Sequence, residues 1–99
     1  MTINIQSVHF DADKKLIDFT NEKVGKLTTF FDGVINSGVI LRLDKNANNE
    51  NKIAEIKMNS KGHEFFAKKQ CASFEEAIDQ TCEALRTQLK KHKEKAGAH

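Results

Sequence analysis

Between Val39 and Cys71 the chain alternates apolar and polar residues three times, and only short polar segments separate the runs. In the first, Val39 to Asp44, residues Val39, Leu41 and Leu43 face one way and Ile40 and Arg42 the other. In the second, Lys52 to Met58, Ala54, Ile56 and Met58 oppose Ile53, Glu55 and Lys57. The third runs from His63 to Cys71 around Phe65, Phe66 and Ala67. A period of two belongs to strands with one buried face. Lys45 to Asn51 is polar and asparagine-rich, a good hairpin loop, and Asn59 to Gly62 turns the chain again. Strands joined by such short connections are antiparallel neighbours, so the stretch predicts a meander.

The flanks have different periods. Thr2 to Phe10 reads as a strand in which Ile3 and Ile5 alternate before the apolar phase moves to Val8 and Phe10. That shift around Ser7 marks a bulge or the strand's end. Asp13 is the preferred N-cap of a helix running to about Phe31. At 100° per residue Leu16, Phe19, Val24, Leu27, Phe30 and Phe31 fall in an arc of about 160°, a wide buried face. Asp32-Gly33 ends this helix, and Asn36-Ser37-Gly38 supplies another turn signal. After the meander, Ser73 to Glu76 forms a capping box. Phe74, Ala77, Ile78, Thr81, Cys82, Leu85 and Leu89 then follow at helical spacing as one stripe.

The predicted order is β-α-β-β-β-α, an α+β fold: a four-stranded sheet with two helices packed on one face and a right-handed first crossover. The opposite face shows Arg42, Glu55, Lys57 and Lys68 to solvent. Ninety-nine residues suit one compact domain, expected over residues 1–95 with a disordered tail at 96–99.

Charge is unevenly placed. Arg86, Lys90, Lys91, Lys93 and Lys95 stand against Glu94 alone, whereas the whole chain carries only +2. Arg86, Lys90 and Lys93 flank one side of the apolar stripe, and Lys91 and Lys95 the other. Glu75, Glu76, Asp79 and Glu83 crowd the first half of the same helix. Acid at the start and base at the end suit the helix macrodipole. Like charges one turn apart nevertheless cost stability unless a partner neutralises them, so this end suggests a polyanion. On the first helix Lys23 lies inside the apolar arc and Lys26 at its edge. They read either as snorkelling side chains or as part of an anion site.

Several functions find no support in these residues. The five glycines are scattered singly, with no phosphate-cradling loop. No paired-histidine or paired-cysteine metal spacing occurs, and no cofactor or metal site is expected. Cys71 and Cys82 read as small buried thiols. His9, His63, His92 and His99 fall on a strand end, a turn, a helix tail and the terminus, and spacing places none near another. His92 extends the apolar stripe and reads as a packing or capping residue. No catalytic residue is assigned, and the chain is read as a non-enzyme without a small-molecule substrate. No apolar run approaches the ~20 residues of a membrane span, and the N-terminus lacks the regions of a signal peptide, so a cytoplasmic protein with no membrane partner is expected.

Three stretches carry a family likeness: Ile3 to Phe19; Lys23-Val24-Gly25-Lys26-Leu27-Thr28-Thr29-Phe30-Phe31-Asp32; and Ala77-Ile78-Asp79 continuing through Leu85-Arg86-Thr87-Gln88-Leu89-Lys90-Lys91-His92-Lys93-Glu94-Lys95. In order and spacing they resemble the ribosome hibernation promoting factors, also called ribosome-associated inhibitor proteins. The resemblance implies a fold similar to double-stranded-RNA-binding domains. It also implies binding to the bacterial small ribosomal subunit, in the channel that holds mRNA and tRNA, and silencing of translation when growth slows. By matched position Lys23, Lys26, Arg86, Lys90, Lys91, Lys93 and Lys95 would contact 16S rRNA phosphates. Ending after the basic helix, the chain matches the family's short form, expected to be a monomer off the ribosome. It departs from members at Glu75, where tyrosine is common, and at Lys69 and Cys71, where glycine or alanine is common. Two other readings fit the residues: a general structured-RNA-binding domain, and a protein-interaction module using the acidic half-helix and the open sheet face.

Overall fold

The computed structural model describes residues 2–31, 33–45 and 49–96, without the side chains of Phe30 and residues 94–96. Its elements are β1 (Thr2–Val8), α1 (Lys14–Phe30), β2 (Val34–Leu43), β3 (Lys52–Ser60), β4 (His63–Cys71) and α2 (Phe74–Ala96). They form one mixed sheet in the order β1-β2-β3-β4, in which β1 pairs parallel to β2 and the remaining pairs are antiparallel. The predicted element order and meander are both present. Of the expected tail at residues 96–99, Ala96 is the last residue of α2 and residues 97–99 lie outside the described residues.

Local chemistry sets the boundaries. Asp13 caps α1 by accepting the Leu16 N–H at 2.8 Å. Ser73 caps α2 by accepting the Glu76 N–H at 3.1 Å, half of the predicted box. The Glu76 carboxylate lies against the Cys71 thiol instead; burial first, and that carboxylate second, push the thiol above its ordinary range. The β3–β4 turn depends on Gly62, whose φ of 77° is left-handed and suits a residue without Cβ.

Two boundaries differ from the sequence reading. β1 stops at Val8 rather than Phe10, because His9 turns to a φ of 69° and frees Phe10 to stack on Phe74 at 4.4 Å. Asn36-Ser37-Gly38 is strand, not turn. Parallel pairing of β1 with β2, from Thr2↔Asn36 to Val8↔Arg42, and antiparallel pairing with β3 hold it extended on both sides. The register irregularity between Val34 and Asn36 and the 2.7 Å bond donated by the Asn59 amide to Asn36 Oδ1 are the local signs of the polar residues there. Ladder bonds on two edges outweigh a turn preference.

The helices cover one sheet face. Leu16, Thr20, Val24 and Leu27 of α1, and Phe74, Ala77, Ile78, Thr81, Cys82, Leu85 and Leu89 of α2, are buried against Val39, Leu41, Ala54, Ile56, Met58, Phe65 and Ala67. The two buried threonine hydroxyls are satisfied: Thr20 donates to Leu16 O at 2.8 Å and Thr81 to Ala77 O at 2.7 Å. α2 lies over β3 and β4, running antiparallel to β4, with Thr81 near Ala54 and Gln88 donating to Phe66 O at 2.8 Å. Lys23 of α1 meets Asp79, and Phe31 at the end of α1 meets His92, so the helices run parallel and end together.

Candidate nucleic-acid interface

The α2 stripe fixes where the cations point. Leu85 and Leu89 are fully buried, and at helical spacing this leaves Arg86 and Lys90 on the flank beside α1 and Lys91 on the flank beside β4. Arg86, Lys90, Lys91 and Lys93 are all exposed, whereas the side chain of Lys95 is outside the described set. No acidic residue occurs between Ala84 and Lys93. Lys90 and Lys91 make no ion pair with another described residue. Because the helices are parallel, both macrodipoles present their negative ends here, which lowers the cost of assembling the cations.

The other half of the helix pair is different. A groove of about 250 Å³ between α1 and α2 is lined by Lys23, Lys26, Leu27, Asp79, Cys82, Glu83 and Arg86. It brings together three of the expected contact residues, each of which faces an acid. Lys23 Nζ bonds Asp79 Oδ1 at 3.1 Å and lies 5.6 Å from the centre of the Phe19 ring. The hydrogen bond to Asp79, then its charge, raises the Lys23 ammonium above the ordinary lysine range. Lys26 faces Glu22 at 3.6 Å, and Arg86 faces Glu83 at 4.0 Å. Lys23 therefore does snorkel, and it ends on a carboxylate. At the groove wall, burial first and Asp79 second push the Cys82 thiol up to about 11.

The last turns of α2 are anchored by a cluster absent from the sequence reading. His92 stacks on His63 at 4.6 Å and meets Phe65 edge-on at 5.3 Å and Phe31 at 5.9 Å. The expectation that no histidines approach one another is thus overturned. β4 starts beside the end of α2, a juxtaposition made by the sheet rather than by spacing. The one legible signal was His92's place on the apolar stripe, and packing is its role. The anchor holds Lys90, Lys91 and Lys93 in a defined direction.

The chain matches the family described as sigma 54 modulation protein / S30EA ribosomal protein over residues 3–96. It belongs to that family. Among similar proteins, a ribosome hibernation promoting factor from Pseudomonas putida is 33% identical over 95 residues, covering 96% of this chain and 89% of that protein. Another of the same name from Klebsiella oxytoca is 29% identical over 99 residues, the full length of both. Two solved structures share the fold. A ribosomal subunit interface protein from Coxiella burnetii superposes with a TM-score of 0.82 at 22% identity, covering 94% of this chain and 98% of that one. The N-terminal domain of Thermus thermophilus Protein Y does so with a TM-score of 0.79 at 24% identity, covering 93% and 99%. The S30EA family match spans both helices and the whole sheet, so it takes in the basic end of α2 as well as the groove.

Proposed function

We propose that this S30EA-family protein is a cytoplasmic translation-silencing factor that binds the small ribosomal subunit and occupies its mRNA and tRNA channel. Arg86, Lys90, Lys91, Lys93 and Lys95 of α2 contact 16S rRNA phosphates, with Lys23 and Lys26 of α1 at the margin. The single observation that carries this reading is the exposed cationic stretch of α2 from Arg86 to Lys93, free of acid from Ala84 to Lys93 and aimed by a buried stripe and an aromatic anchor. The relatives' names supply the ribosome. Action is by occupancy: a folded domain seated where anionic mRNA and tRNA must lie excludes them without any bond being made or broken. Off the ribosome the protein is a monomer.

Phosphate contacts make such binding strongly salt-dependent. With five phosphates engaged, log K against log salt slopes by roughly −3.5 to −4.5. The test is binding to purified small subunits in excess duplex RNA across a salt series. Persistence in the competitor with a slope in that range supports the reading, since folded RNA is recognised by its form. Equal loss to any duplex would leave only a general RNA-binding domain.

A further inference from the structure

The face of the sheet away from the helices is uncovered, and its residues are not used by the reading above. Register places four rows across it: Thr2–Asn36–Asn59–Glu64, Asn4–Gly38–Lys57–Phe66, Gln6–Ile40–Glu55–Lys68 and Val8–Arg42–Ile53–Gln70. Phe66 is 49% exposed and Ile40 36%, and both are large apolar side chains in the middle two rows. Gly38 lies beside Asn4 and two residues from Ile40 on β2, with Lys57 of β3 between it and Phe66; a Cβ on Gly38 would meet nothing within 4 Å. The result is a shallow hollow of about 240 Å³ floored by bare backbone and bordered by Asn4, Gln6, Ile40 and Lys57. One row on, a wider groove of about 530 Å³ includes Arg42, Lys45, Lys68, His9 and Asp44 over a buried Ile53.

The charges on this face are unequally compensated. Glu55 holds Arg42 at 3.0 Å, Glu64 holds Lys57 at 3.4 Å, and Asp44 accepts from Gln70 at 3.1 Å. Each acid is thus engaged, whereas Lys45 and Lys68 have no ion pair with a described residue. Lys68 stands two residues from Phe66 on the same face, about 7 Å along the strand. The Gly38 hollow beside Ile40, the Phe66 ring across β3, exposed amides and the uncompensated Lys68 match the parts of one ligand: the faces of two successive bases, a hydrogen-bonding edge and a phosphate. An acidic peptide would use the lysines but leave the hollow over Gly38 empty.

We propose that this open sheet face is a second RNA-binding surface, specific for an unpaired single-stranded segment. One base lies over Gly38 against Ile40 and the next on Phe66 across β3. Asn4 and Gln6 meet the first base's edge, Lys68 neutralises the phosphate beside Phe66, and Lys45, seven residues along the chain from Gly38, takes a phosphate further along the RNA. The helix end and the sheet face then hold RNA on opposite sides of the domain. The surface stands independently of the ribosomal reading, because it uses none of the same residues.

The test is a titration of the full chain carrying Lys90→Glu/Lys91→Glu, which removes competition from the helix end, with decauridylate, followed by fluorescence anisotropy and amide NMR shifts. Shifts centred on Gly38, Ile40, Lys57, Phe66 and Lys68 are expected. Gly38→Val, which fills the hollow in a strand position that tolerates a β-branched residue, and Phe66→Ala each weaken binding by roughly tenfold, within the range for loss of one stacked base. Lys45→Glu/Lys68→Glu abolishes it. Undiminished binding by Gly38→Val with a native spectrum overturns the proposal, as do shifts confined to α2. Uridine monophosphate binding as tightly as the decamer would also overturn it, since the site would then take a free nucleotide. The small-subunit assay on the helix variant fails or succeeds separately.

Discussion

The two halves of the α1–α2 pair carry similar numbers of cations and differ in what surrounds them. In the first half Lys23, Lys26 and Arg86 face Asp79, Glu22 and Glu83 across 3.1–4.0 Å. In the second half Lys90 and Lys91 have no ion pair among the described residues. An RNA phosphate approaching the first half must displace an existing carboxylate, so the gain is a difference between two pairings. At Lys90 and Lys91 no described carboxylate has to be displaced. Proximity of a cation to a groove is therefore a poor guide to its contribution; its existing partners decide.

The sharpest break between the halves is charge reversal. Lys90→Glu/Lys91→Glu is expected to weaken small-subunit binding on the order of a hundredfold near 0.1 M salt and to flatten the salt slope by about 2, with the circular dichroism spectrum unchanged. An unchanged slope would move the interface elsewhere. Next in size is Leu89→Ala, beneath the basic end. It should cost about 2–5 kcal/mol in urea denaturation, because the side chain is fully buried, while binding by the folded fraction persists. A smaller effect separates the halves from the other side. Lys23→Ala should weaken binding by at most about fivefold, and Asp79→Asn should strengthen it by a similar factor, the range that exposed ion-pair energies of roughly 0.2–1 kcal/mol allow. Large losses for Lys23→Ala would show that the Asp79 pair opens on the RNA.

The smallest effects are on the pH dependence of stability. Asp79 raises the folded-state Lys23 ammonium, so its contribution is complete below the ordinary lysine value of about 10.4 and is lost only as pH rises through the higher folded value. Cys82 works at lower pH: an unfolded thiol ionises near about 8.5 whereas the buried one holds its proton to about 11, so stability falls across that window. Cys82→Ser should remove its own share of the decline between about pH 8.5 and 11 in thermal melts, leaving that of Cys71. Asp79→Asn should remove the decline that sets in above about pH 10.4 and also narrow the Cys82 window.

Much of the architecture was legible in residue order. Asp13 and Ser73 cap their helices as their side-chain chemistry requires, and the seven-residue α2 stripe is buried throughout. Burial periodicity and caps are local, acting within a few residues, and so survive without knowledge of neighbours. The misread segments have the opposite character. Asn36-Ser37-Gly38 became strand because β1 and β3 pair with it from either side, and β1 lies some thirty residues away in the chain. Ile53 sits on the open face and is still buried, in the groove flanked by Arg42 and Lys68.

The candidate interface divides the same way. That a basic, acid-free segment follows an apolar stripe is a property of residues 84–93 alone, and helical geometry turns it into a direction. Lys26 and Arg86 are compensated within single turns of their own helices, but the compensation of Lys23 was decided by tertiary structure. Parallel packing of the helices set Asp79 against Lys23, and the sheet set His63 against His92, across separations of 56 and 29 residues that no local pattern encodes. Charge is a sum over neighbours, and neighbours are made by the fold.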